Sequence, residues 1–285
     1  MAYKGFGKYK EVMSARSKDP DIQDIAQDGG TTTALMCYAL DTGFIDGAVL
    51  TRKSSEEWAP AQYVATSRKE ILESAKSVYA LSPSLFQLKE ATREKALSKV
   101  GYVGVPCQIE AVRKMQLYPF GARDIVERLA LVIGIFCFEN FYPESLKAIV
   151  EGLGEEPLEG VVRMRCASGK FRTEGEKGVT LPLKEASRYI QDGDRICPDL
   201  VAEWADISIG SVGSDPGWNT VFLRTKKGHD FFQQAIGAGA IETKEISEDG
   251  LKALEKLAVS KKSRAKKFIE KREKLGLYVT RDIYY

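Results

Sequence analysis

Histidine occurs once in these 285 residues, at His229. A lone imidazole removes most zinc hydrolase schemes and most histidine-driven nucleophile relays. Net charge is almost absent too: 42 Lys and Arg against 40 Asp and Glu leave a formal +2. Such a mixed surface gives no reason to expect a nucleic acid partner. The longest apolar run, Leu129–Phe138, falls well short of the roughly 20 residues of a membrane-spanning helix. The first residues lack the apolar core of an export signal. Cysteine is sparse: five scattered residues with no C-x-x-C, unlike a secreted disulfide framework. The expectation is a reduced, cytoplasmic protein without a membrane span.

What is present is a 44% apolar chain, long enough for one large domain or two. Alternating strand and helix signals from about residue 29 to 236 predict an α/β fold, a mixed sheet flanked by helices with a C-terminal helical extension. The expected divisions are an N-terminal segment 1–28, an α/β domain 29–240 and a basic helical extension 241–285. Helices are predicted over Thr32–Leu40, Pro83–Leu97, Ile109–Met115 and Pro143–Glu151. Ser82 before Pro83 makes a helix start. Strands are predicted over Ile45–Thr51, Val100–Val105, Leu129–Phe136, Ala205–Ile209 and Thr220–Arg224, with antiparallel strands between Val161 and Thr180. From Ser247 the chain reads as a helix with Leu251, Leu254 and Leu257 on one stripe. Its basic stretch Lys261–Lys274 reads first as a solvated face and second as a docking surface for a partner.

Two apolar strands each run into a cysteine and then a helix. Val100–Val105 leads through Pro106 to Cys107, and Leu129–Phe136 leads to Cys137. Ligands of open α/β sheets bind at the carboxyl ends of parallel strands, so both sulfurs are expected to converge on one site. That points to a metal cluster or a reactive thiol, while a single buried cysteine is otherwise inert. A thiol at the start of a helix is expected to have a lowered pKa. Cys37 falls inside a helix and Cys166 on a strand.

Two loops suit a nucleotide-like ligand. Gly29, Gly30, Thr31, Thr32 and Thr33 open a helix whose first N–H groups favour an anion such as a diphosphate. The alternative there is an ordinary capped turn. The loop Gly210–Asn219, with Ser211, Gly213, Ser214, Gly217 and Trp218, could wrap a flat ring or serve only as a long connection.

The motifs occur in one order: Asp28–Thr31, Pro106–Gln108 with Val112–Gln116, Cys137–Asn140, Ala205–Ser214 and Gly217–Val221. Together they resemble the beta-subunit family of coenzyme F420-reducing hydrogenase. The same family takes in beta subunits of formate dehydrogenase and other deazaflavin-dependent enzymes. The similarity runs from Tyr9 into the C-terminal helix. It implies FAD, a [4Fe-4S] cluster and coenzyme F420 as substrate, in an archaeal, methanogenesis-related setting. It also implies that Tyr79 and Ser82 join the flavin contacts, and that Cys107, Cys137, Cys197 and the residue three before Cys197 hold the cluster. That residue is Asp194, where the family usually has cysteine.

The activity so implied is oxidoreduction. Single electrons from a partner with iron–sulfur clusters (of hydrogenase, formate dehydrogenase, carbon monoxide dehydrogenase or heterodisulfide reductase type) become a hydride delivered to coenzyme F420, or the reverse. No side chain need act as acid or base. Arg52, Lys53, Arg224 and Lys226 are candidates for the coenzyme's anionic tail. The rivals are a cluster-free enzyme using Cys107 as nucleophile, and a non-catalytic assembly subunit docking through its basic helix.

Overall fold

The computed structural model describes residues 3–54 and 58–277. Among the described residues, eleven strands form two sheets. Eight belong to the main sheet: β1 (Glu11–Ser17), β2 (Gly47–Lys53), β3 (Pro60–Ala65), β4 (Val100–Gly104), β5 (Leu129–Ile135), β9 (Ile207–Gly210), β10 (Asn219–Leu223) and β11 (Ile241–Lys244). Three more, β6 (Arg163–Ala167), β7 (Lys170–Glu174) and β8 (Thr180–Pro182), make a small antiparallel sheet. The order in the main sheet is β11-β1-β10-β9-β5-β4-β2-β3.

The centre of that sheet, β9, β5, β4 and β2, is parallel, and both flanks are antiparallel. Central parallel strands are covered on both faces, which is why β4 and β5 read as nearly unbroken apolar runs. Their register matters for function. Gly104 pairs with Gly134, and Gly134 with Ser208. Cys107 and Cys137, each three residues past a paired glycine, therefore leave the sheet at the same edge.

Helices Thr31–Asp41 and Lys226–Gly237 cover one face through Leu35, Met36, Phe231 and Phe232. Helix Pro106–Leu117 covers the other with Ile109 and Val112. The small sheet has its own core, with Phe141, Met164 and Phe171 fully buried. The long helix Glu248–Lys274, capped by the Ser247 hydroxyl, packs with Phe6, Leu200 and Phe222.

Most expected elements are present with shifted ends. The helix expected over Pro83–Leu97 runs from Leu85 to Lys89 and continues as a π-turn over Glu90–Glu94. The one expected over Pro143–Glu151 likewise becomes π-helical from Ala148 to Leu153. The sheet also reaches past residues 28 and 240, since β1 and β11 are strands within it. The basic stretch departs most from expectation. Its buried stripe runs Leu251, Leu254, Ala258, Lys261, Ala265, so a lysine occupies a core position and the stretch is no plain solvated face. No helix among the described residues is long and apolar enough to cross a membrane.

Candidate functional site

Cys107 sits at the second position of helix Pro106–Leu117. Gln108 fixes this start: its Oε1 accepts the Val105 N–H at 3.0 Å, and its Nε2 donates to the Ser82 carbonyl at 2.6 Å. Cys137 follows β5, its N–H donating to the Leu200 carbonyl at 2.9 Å. Cys197 ends the short helix Asp192–Ile196, and Asp194 lies within it. The Asp194 carboxylate accepts the Asn140 backbone N–H at 2.7 Å, which ties this loop to the Cys137 loop.

The four groups feel one another. Burial pushes the Cys107 thiol up, and Cys197, Cys137 and Asp194 add to the rise. The residue retains exposed surface, but surrounding protein desolvates its sulfur. The helix start alone predicts a lowered thiol pKa; desolvation and like charge outweigh the helix dipole. Burial raises Cys137 to about 12, with Asp194 and Cys197 contributing. Cys197 and Asp194 are raised by burial as well. Cys107, Cys137, Cys197 and Asp194 thus lie near enough to act on one another electrostatically. Among the described residues, however, no three Cys, His, Asp or Glu already stand as ligands for a single metal ion.

The clearest observation bearing on an anionic group at this site is Lys261. It has 0% exposed surface, donates to the Cys137 carbonyl, and makes no ion pair among the described residues. Burial alone would lower its ammonium pKa, yet Cys137, Cys197, Asp194 and Asp199 together hold it above its ordinary value. A buried cation without an ionic partner is costly even when hydrogen-bonded, so anionic groups at these positions are its natural complement. Two neighbours on the same helix complete the clasp. Lys262 pairs with Glu203 at 2.5 Å, and Arg264 pairs with Glu139 and donates to the Phe138 carbonyl at 3.3 Å.

At the glycine–threonine loop, Gly30 adopts φ +69°, a left-handed conformation suited to glycine. Thr31 is engaged in folding: its hydroxyl donates to Ala15 O at 2.9 Å, and its N–H donates to Asn219 Oδ1 at 3.2 Å. Gly29 packs against Asn219, so the two predicted loops meet there. The hydroxyls of Thr32 and Thr33 have no hydrogen-bond partner among the described residues. Asp28 bridges the loop to the rest, pairing with Arg165 of the small sheet at 2.8 Å and accepting from Ser211.

In the second loop Ser214 joins a hydroxyl chain, 2.7 Å from Ser14 and 2.8 Å from Thr220. Gly210 packs its backbone on Phe136, and Gly213 has φ +104°. Gly217 has open space around it. Trp218 is half-buried, with Arg16 and Lys244 each 4.5 Å from its ring centre. Tyr79 accepts the Cys166 N–H at 3.2 Å, and Ser82 shares a 2.9 Å hydroxyl contact with Thr51. Of the tail candidates, Arg224 is buried and donates to Phe6, Lys8 and Val201 carbonyls, which removes it from the surface. Arg52 pairs with Glu73, Lys226 with Asp230, and Lys53 lies over Trp58. Two surface clefts of about 490 and 410 Å3 lie at the β1–β11 edge and beside helix Thr31–Asp41, neither of them lined by Cys107, Cys137 or Cys197.

Sequence reading missed Lys261, Arg264 and Glu139. The available signal was a lysine in the heptad-like stripe 251, 254, 258, 261, 265, where an apolar side chain is the norm.

Comparison with known proteins identifies the family. Residues 12–89 match the N-terminal part of the family described as coenzyme F420 hydrogenase/dehydrogenase, beta subunit. Residues 97–249 match the C-terminal part of the same family. The coenzyme F420 hydrogenase subunit beta of Methanosarcina barkeri is 46% identical over 275 residues, covering 95% of this chain and 94% of that one. The coenzyme F420-dependent sulfite reductase of Methanocaldococcus jannaschii is 36% identical over 95% of this chain but only 43% of its own length. A chain from the xenon-derivatised F420-reducing [NiFe] hydrogenase complex of Methanosarcina barkeri superposes with a TM-score of 0.94 at 44% identity, all of both chains being covered. The chain belongs to the coenzyme F420 hydrogenase/dehydrogenase beta-subunit family, whose members are components of oxidoreductase complexes.

Proposed function

We propose that this chain is the flavoprotein subunit that exchanges hydride with coenzyme F420 while single electrons pass to or from an iron–sulfur partner. Cys107, Cys137, Cys197 and Asp194 would hold a [4Fe-4S] cluster. Thr32 and Thr33 would meet an FAD diphosphate, with Gly29, Gly30 and Thr31 shaping the turn. Tyr79, Ser82 and the loop of Gly210, Ser211, Gly213, Ser214, Gly217, Trp218 and Asn219 would surround the rest. Bound there, the flavin would supply exchange between one-electron and hydride chemistry, and the cluster a one-electron relay. The chain's own part is to orient. Gln108 fixes the Cys107 turn, Asn140 joins the Cys137 and Asp194 loops, and Asp28 couples the glycine loop to Ser211 and Arg165.

The observation that carries the reading is the fully buried ammonium of Lys261, which makes no ion pair among the described residues, beside Cys137, Cys197, Asp194 and Asp199. A cubane is wider than one ion, so its ligands stand further apart than those of a mononuclear metal. Asp194 suits the fourth ligand because it is half-buried and turned to the Asn140 N–H beside Cys137, where a solvated loop carboxylate would face water. The partner would be one of the iron–sulfur assemblies of hydrogenase, formate dehydrogenase, carbon monoxide dehydrogenase or heterodisulfide reductase type, in the cytoplasm.

Anaerobic reconstitution tests this. The expected protein carries about one flavin and about four irons per chain. Asp194→Cys is expected to keep the iron and move the reduction potential; an unchanged potential would remove Asp194 from the ligand set. A colourless protein whose turnover dies on alkylation of Cys107 would favour the thiol enzyme instead. Absence of both colour and turnover would favour an assembly role.

A further inference from the structure

Two side chains attend Cys137 in ways its neighbours do not share. Lys261 places an ammonium on the Cys137 carbonyl from inside the core. Asn140, 7% exposed, directs its side-chain Nδ2 at the Cys137 sulfur, 3.6 Å away. The same residue gives its backbone N–H to Asp194, and its own Oδ1 is buried without a partner. Asn140 therefore touches two of the four groups proposed to carry the cluster. Both contacts offer positive charge to the sulfur side of the site.

We propose that Lys261 and Asn140 are positioning residues that raise the reduction potential of the group held at Cys137. The inference rests on the cluster reading above. An electron added at this site increases the negative charge that the ammonium and the amide N–H face, so both favour the reduced state. Net charge and hydrogen bonds to sulfur are among the levers that set cluster potentials. Lys261 acts in a dry, low-dielectric setting, where a fixed charge has its greatest reach. Its position in the apolar stripe of helix Glu248–Lys274 makes it part of the fold, held there whatever the surface ions do.

The test is a redox titration followed by electron paramagnetic resonance on the anaerobically reconstituted full chain, with iron content measured in parallel. Lys261→Met keeps length and removes the charge; Asn140→Leu keeps shape and removes the N–H. Each is expected to hold iron and to shift the midpoint to lower potential, and Lys261→Arg to restore it. A residue that served only for packing would lower melting temperature and iron content alike without moving the midpoint. Should Lys261→Met fail to fold, Asn140→Leu and Lys261→Arg decide: a native midpoint in the first, with iron retained, overturns the proposal. Native protein without iron overturns the cluster reading, and this inference with it. Native protein with iron, whose variants keep its midpoint, overturns this inference alone.

Discussion

Single residues here differ most in how the fold treats the same chemistry. Cys37 is a thiol like Cys107, but it is 1% exposed in helix Thr31–Asp41. Burial pushes its pKa to about 11; Arg68 draws it down, while Asp41 and Asp19 add to the rise. At pH 8 its thiolate fraction should be about a hundredfold below that of an ordinary cysteine. Iodoacetamide at that pH should leave Cys37 unmodified in native protein and label it in urea, as read by peptide mass spectrometry. Labelling at equal rates in both states would contradict its burial. Residue types did reveal the cysteine-bearing edge, because Val100–Val105 and Leu129–Phe136 are apolar beyond what a surface strand allows. The role of Lys261 was not legible, since a lysine in a basic run looks solvated until the partner surface is known.

At the scale of elements, ties between strand starts decide register. Asp46, just before β2, accepts from the Ser98 hydroxyl at 2.6 Å and from the Ser98 and Lys99 N–H groups at 3.0 Å each. Ser98 stands just before β4, so one carboxylate fastens two parallel neighbours. The Ser98 hydroxyl, foremost, and the backbone donors hold the Asp46 carboxyl below its ordinary range, against a smaller burial effect. A lowered folded pKa gives stability that is present above the unfolded value near 4 and is lost as pH falls through the folded one. Asp46→Asn should cost about 1 kcal/mol at pH 7, given the site's contact with solvent. That difference should shrink below about pH 4, as read by urea unfolding across pH. A constant difference down to pH 2 would count against the ionic origin. Element ends were harder to foresee than element types. The π-turns at Glu90–Glu94 and Ala148–Leu153 stand where periodicity alone predicts regular helix.

On the scale of the whole molecule, the two sheets are joined at the glycine loop. Arg165 of β6 pairs with Asp28, whose side chain is 8% exposed, and also donates to the Gln27 carbonyl at 2.8 Å. Arg165→Met leaves that carboxylate without its cation and should cost about 2 kcal/mol, less than a fully buried pair because the arginine is partly wet. The same variant should weaken flavin retention if the loop holds the diphosphate. Urea denaturation and flavin release on dilution measure the two effects separately; an unchanged unfolding midpoint would remove this tie from the fold. The α/β class and the C-terminal helix were readable from alternation and periodicity. The membership of β1 and β11 in one sheet was not, because pairing across more than 200 residues leaves no local pattern.

That pairing bears on manufacture. β1 is made about 200 residues before its partners β10 and β11 and the helix carrying Lys261. A nascent chain thus has an unpaired strand until those partners are made, and Cys107, Cys137 and Cys197 emerge before Lys261. Non-local strands of this kind fold slowly and tend to associate while they wait. Low temperature and chaperone supply should therefore govern the yield of sound protein more than any change to the finished surface.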